Sequence, residues 1–182
     1  MKPWAWLAGL LLLPATLPAG ELVTDAAPEV LCALMKPLGL SSPPVRAEGG
    51  GWRCTTARKA LPQGEPAGAS DLRYRVSGDG RGGRRLVLEL RMNSWRGPQG
   101  VLQRYYRYLE GMLERLGLQP PAGLRRAVLS AVPGEWILAG HRLTLEKRFS
   151  KGPVYELWFV VERLPSVPEG NQSAAPESSA SP

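Results

Sequence analysis

Between Leu72 and Met92 the chain alternates with a period of two. Leu72, Tyr74 and Val76 are set against Arg73 and Arg75, then Leu86, Leu88, Leu90 and Met92 against Arg85, Val87, Glu89 and Arg91. Such a period sends successive side chains to opposite faces of a strand, so both segments are predicted as half-buried strands. The stretch Ser77-Gly-Asp-Gly-Arg-Gly-Gly-Arg84 between them reads as a flexible hairpin connection. Its glycines serve turning: no Lys-Ser/Thr pair follows and no helix begins there, so nothing in it signals a phosphate loop.

The remaining elements are fitted around this pair. Val154 to Val161 is apolar on both parities and belongs in the middle of a sheet. Trp136 to Phe149 reads as one strand before it, and Trp52 to Thr56 as a strand near the start. The helix with the clearest signal runs from Pro98 to Gly117, with Leu102, Tyr105, Leu109, Met112, Leu113 and Leu116 on one arc. A shorter helix is expected from Ala122 to Ala131. A first helix is expected from Ala26 to Met35, with Asp25 as N-cap, Val30, Leu31, Leu34 and Leu38 on its buried face and Cys32 pointing away. Segments 41–51 and 62–70 read as loops. The order α-β-β-β-α-α-β-β predicts an α+β domain: an antiparallel sheet of about five strands with helices on one face, similar in layout to the secretion-chaperone type of sandwich.

Residues 1–20 carry Lys2, an apolar run from Trp4 to Leu13 and small residues at Ala15, Ala19 and Gly20, the pattern of a secretory signal cleaved after Ala19 or Gly20. The run is shorter than the roughly 20 residues a membrane-spanning helix needs, so no anchor is expected after cleavage. Residues 21–164 form the single domain, and 165–182, PSVPEGNQSAAPESSASP, have too little apolar surface to order themselves. The tail contains the glycosylation-type triplet Asn171-Gln172-Ser173, a pattern common by chance. Export to the periplasm or the medium places Cys32 and Cys54, the two cysteines of the chain, in an oxidising compartment where they are expected to bridge.

Leu31-Cys32 on a first helix, Trp52-x-Cys54 on a strand, Leu88-x-Leu90 near Asn93, Leu116-Gly117 closing a helix, Pro120-Pro121-x-x-Leu124 and a terminal hairpin together resemble a group of bacterial exported proteins of unknown function. The resemblance spans about Pro28 to Leu164. It implies the topology and the disulfide, and no activity.

The polar inventory is thin for chemistry. One His in the chain leaves a catalytic role for His141 without a nucleophile beyond Thr144 or an orienting carboxylate beyond Glu135 and Glu146. Glu89 with Glu146 or Glu156 makes a carboxylate pair of a kind any sheet offers by chance. No catalytic, cofactor-binding or metal-binding residues are predicted, and the protein is expected not to be an enzyme. What remains is basic charge, 23 Lys and Arg against 16 Asp and Glu. Arg73, Arg75, Arg85 and Arg91 should share the sheet face opposite the core, with Arg81 and Arg84 on the adjoining hairpin, as a possible anion-binding surface in which Glu89 reduces the field. The expected partner is an anionic polymer or an acidic protein face, not a specific nucleic acid. A structural subunit of an envelope complex is the alternative, and an enzyme of unrecognised type a more distant one.

Overall fold

A computed structural model describes residues 25–41, 43–61, 70–93, 98–149 and 154–164. The segment read as a secretory signal, most of the loop predicted at 62–70 and the tail therefore lie outside the described residues. In chain order the elements are α1 (Pro28–Ala33), β1 (Arg46–Glu48), β2 (Gly51–Thr55), β3 (Lys59–Ala60), β4 (Asp71–Asp79), β5 (Gly82–Met92), α2 (Pro98–Arg115), α3 (Leu124–Leu129), β6 (Gly134–Leu138), β7 (His141–Phe149) and β8 (Tyr155–Arg163). The strands make one antiparallel sheet in the order β1-β2-β4-β5-β8-β7-β6, with β3 also paired to β4. The α+β class holds, with eight strands where about five were expected.

The additional strands have local causes. The single strand expected over 136–149 is broken by a turn at Ala139 and Gly140, whose φ values of +47° and +73° reverse the chain and set β6 beside β7. In the segment read as a loop at 41–51, Ala47 pairs with Trp52 across a turn at Gly49-Gly50, giving the three-residue β1. The presumed flexible connection between β4 and β5 is mostly strand: pairing continues to Asp79 opposite Gly82, with a register irregularity at Ser77-Gly78.

The core lies on one face of the sheet. Leu72, Tyr74 and Val76 stand opposite Leu90, Leu88 and Leu86, which in turn face Leu157, Phe159 and Val161 on β8. All nine are essentially removed from solvent. The amphipathic arc of α2 covers them, and its Tyr105 hydroxyl lies 2.8 Å from the Leu88 carbonyl and 3.1 Å from the Phe159 amide, donating to the first and accepting from the second. One phenol thus ties the helix to both central strands.

The first helix differs from its sequence reading. It spans six residues before a 3-10 turn at Lys36–Leu38, its N-cap is Ala27 without a side-chain bond, and Asp25 pairs with Arg163 instead. The buried arc is centred on Leu31 and Cys32, a part-turn away from the Val30 side that the apolar spacing suggested. Val30 is exposed, whereas Leu31, Cys32, Leu34 and Met35 are buried. Cys32 turns inward and bridges Cys54 of β2, with Cα atoms 5.9 Å apart.

Candidate functional site on the open sheet face

The opposite face of the sheet carries the other set of side chains, which follows from parity. The cross-strand register sets Arg73 against Glu89 and Glu89 against Trp158, with Asp71 against Arg91 and Arg91 against Glu156. Opposite charges thus face each other directly across neighbouring strands. Arg73, Arg75, Arg85 and Arg91 do share this face, as their alternation predicts.

They are not a bare cationic patch. Glu89 is fully buried at the centre of the face. Its Oε2 accepts from Arg73 at 2.8 Å through Nε and lies 2.6 Å from the same guanidinium's Nη2, while Oε1 pairs with Arg75. Asp71, also buried, takes Arg58 at 2.6 Å on one oxygen and Arg91 on the other. Arg58 reaches Glu89 at 3.7 Å and Glu156 at 4.0 Å, so it joins the two carboxylate centres. A buried carboxylate draws in this many cations because its desolvation is offset only by opposite charge close by.

The arginines in turn crowd one another. Burial, and after it the charges of Arg73, Arg148, Arg53 and Arg58, push Arg75 down to about 10. Burial and the Arg58 charge lower Arg73 as well. Trp158 sits among them, with Arg75 over its ring at 4.5 Å and Arg148 at 3.6 Å, and its Nε1 donates to Glu156 at 2.9 Å.

One part of the face is concave. Arg53 of β2, Arg75 and Ser77 of β4, Arg85 and Val87 of β5 and Trp158 of β8 line a cleft of about 170 Å³ with no carboxylate in its lining. Each arginine is held from outside it, Arg53 by Glu48 at 2.5 Å, Arg85 by Glu162 at 2.7 Å and Arg75 by Glu89. A guanidinium has five N–H donors and a carboxylate engages at most two of them, so each retains donors for a further anion.

The structure sorts the expected anion-binding residues into three groups. Arg75 and Arg85 reach the cleft. Arg73 and Arg91 lie on the same face, bound to Glu89 and Asp71. Arg81 and Arg84 line a separate hollow of about 300 Å³ with Asp79 and Arg163. There Asp79 accepts from the Arg81 amide at 2.9 Å and from Arg84 at 2.5 Å, contacts that hold its carboxyl below the ordinary range. Sequence reasoning passed over Arg53, Arg58 and Trp158. The first and last share the outward parity of their strands, which was a usable signal, whereas Arg58 follows β2 outside any strand and carries none.

His141 is buried at the start of β7, with Nδ1 2.8 Å from the Ala139 carbonyl, and thus braces the β6–β7 turn. Glu146 is paired with Arg148 at 2.9 Å, and Glu156 shares Arg58 with Glu89. Among the described residues no group of three or more His, Cys, Asp or Glu is placed to hold a metal ion, and no described helix is long and apolar enough to cross a membrane. No protein-family model, no curated protein and no solved structure matches this chain.

Proposed function

We propose that the protein is an exported, non-enzymatic binding or accessory module that engages an anionic partner through the open sheet face, at the cleft formed by Arg53, Arg75, Arg85 and Trp158. The carrying observation is that cleft: three guanidiniums from three adjacent strands converge beside an indole, with no carboxylate in the lining. The chemistry suits an acidic polysaccharide, whose carboxylates take paired guanidinium hydrogen bonds. The Cys32–Cys54 bridge fits the oxidising compartment that export would supply.

The test replaces Arg53 and Arg85, because removing Arg75 would strip a buried carboxylate of its partner. Arg53→Gln/Arg85→Gln should lose most retention on immobilised polygalacturonate, while Arg125→Gln/Arg126→Gln on the exposed side of α3 keeps it. Steep weakening by salt should accompany binding, since exposed charges are screened over about 8 Å at physiological ionic strength. Equal losses in both double variants would leave net charge alone as the cause and remove the cleft from the account.

A specific observation favours the alternative, an assembly subunit. Among the described residues β6 pairs only with β7 and ends the sheet, and Ile137 on it and Val132 just before it are the large apolar side chains left most open besides Val30. An unpaired edge with apolar side chains is a template for strand addition.

A further inference from the structure

On the flank of the domain, where β3 meets α2, a second hollow of about 480 Å³ has a different character from the sheet face. Leu38 and Leu61 supply apolar wall, Arg104, Arg107 and Tyr108 come from one side of α2 at helical spacing, and Lys59 closes the rim. No Asp or Glu lines it among the described residues.

Two glycines beside the hollow let its lining residues Leu38 and Lys59 take their places. A Cβ at Gly111 of α2 would meet Leu38 Cδ1 at 2.8 Å, so glycine lets the 3-10 turn lie close against the helix. A Cβ at Gly39 would meet Lys59 Nζ at 2.5 Å, and Gly39 has φ +79°, so glycine also leaves room for the ammonium. Lys59 Nζ then donates to the Leu38 carbonyl at 3.3 Å and stands 5.6 Å from the centroid of the Tyr108 ring. With one of its three protons so placed, the ammonium is fixed at the rim with two donors remaining. Arg107, exposed on α2, brings a second cation to the same rim.

We propose that this groove binds a small single-chain amphiphile, a carboxylate or phosphate head held by Lys59 and Arg107 with its hydrocarbon lying along Leu38, Leu61 and the Tyr108 ring. A hollow of this volume is within the range of small-ligand sites, and mixed lining of that kind fixes the orientation of a ligand with one charged and one apolar end. A simple inorganic anion would leave the apolar wall unused, and an uncharged chain would not engage Lys59 and Arg107. The site is separate from the sheet-face cleft and does not depend on it.

The test is calorimetric titration of the full chain with decanoate and with decyl phosphate below their micelle concentrations. One-site binding is expected, at least tenfold weaker in Lys59→Gln/Arg107→Gln and unchanged in Arg53→Gln/Arg85→Gln. Decanol and inorganic phosphate should each bind at least tenfold more weakly than decanoate. Both replaced side chains reach the surface, so the variant should melt with the wild type; Arg107→Gln alone, on the exposed helix side, should give a several-fold loss by itself. Undiminished decanoate binding in the double variant overturns the site, and inorganic phosphate binding as well as decyl phosphate overturns the amphiphile. Adsorption to phosphatidylglycerol vesicles without binding of free decanoate overturns it in favour of a membrane surface.

Discussion

Glu89 is a carboxylate fully removed from water on a face whose arginines stay partly exposed, and its neighbours are set by strand register: Arg73 directly across, Arg75 two residues along. Breaking a buried ion pair by removing one partner costs about 3–5 kcal/mol, because the remaining charges lose their counterion in a poorly hydrated site. Glu89→Gln is therefore expected to lower stability by about 3 kcal/mol in urea unfolding, with the guanidiniums' partial exposure holding it to the low end. A loss below about 0.5 kcal/mol, the size usual for surface substitutions, would mean that the arginines simply turn outward. Two buried phenols give a separate, pH-dependent expectation. Burial raises both Tyr74, whose hydroxyl donates to the Leu31 carbonyl at 3.0 Å, and Tyr105 above the ordinary phenol range. An acid raised in the native state keeps a proton that the unfolded chain gives up above about pH 10, so stability falls as pH rises past that point. Each phenol contributes a slope of about 1.4 kcal/mol per pH unit, partly opposed by Arg75, whose lowered value favours the folded state over the same range. Tyr105→Phe should flatten the fall of unfolding free energy between pH 10 and 11.5 even though it lowers stability at pH 7. An unchanged slope would assign alkaline unfolding to other groups.

At the scale of elements, what the sequence disclosed depended on whether a signal was periodic or conformational. Strict alternation placed β4 and β5 and sent Arg73, Arg75, Arg85 and Arg91 to one face, and helical spacing placed α2 within two residues of its observed end. The failures cluster where glycine is read as looseness. In the stretch from Ser77 to Arg84, Gly78 sits in a paired strand and makes room for Trp52: a Cβ there would meet that ring at 2.6 Å and the Gly82 carbonyl at 2.1 Å. Trp52 uses the space to donate from Nε1 to the Asp79 carbonyl at 3.0 Å. Gly80, two residues on, has nothing within 4 Å of such a Cβ. Gly78→Ala is thus expected to cost about 1–3 kcal/mol, as overpacking does, and Gly80→Ala less than about 0.5 kcal/mol. Similar thermal melts for the two would return the segment to the status of a plain loop. The candidate site was legible to a similar degree: parity gives the face, but that Glu89 and Asp71 claim Arg73 and Arg91 while Arg53 and Arg85 turn to a cleft depends on pairing between segments distant in sequence. Edge position is likewise a property of the whole order. At the exposed β6 edge, Ile137→Lys should leave folding intact and abolish any concentration-dependent association seen by light scattering, since an edge charge blocks strand addition.

The molecule as a whole is two local meanders joined by one long-range seam. β1 to β5 pair among themselves, β6 to β8 among themselves, and β5 meets β8 across the centre only after the chain has passed through α2 and α3. The Cys32–Cys54 bridge belongs wholly to the first half. It fastens α1 to β2 across a sequence separation of 22 and leaves the central seam to be held by the β5–β8 strand pairing, by packing and by Tyr105. Closing a loop of that length removes denatured-state entropy worth about 3 kcal/mol in the chain-entropy model. For a domain of this size each kcal/mol moves the midpoint by about 3 °C, so Cys32→Ala/Cys54→Ala should melt on the order of 10 °C lower. The native fold should nevertheless survive at 25 °C, because α1 is also held by Leu31 and the turn after it by Met35, both fully buried, and by the Tyr74 bond to the Leu31 carbonyl. Both thiols are buried, so in the wild-type protein a reductant reaches the bridge only when α1 lifts from the sheet. Reduction in native buffer should therefore be slow and accelerate with sub-denaturing urea, as followed by alkylation and intact mass. A bridge reduced at once in native buffer would show that α1 is not seated on the core, and an unchanged melting point in the alanine variant would place the entropic constraint outside what stabilises the fold.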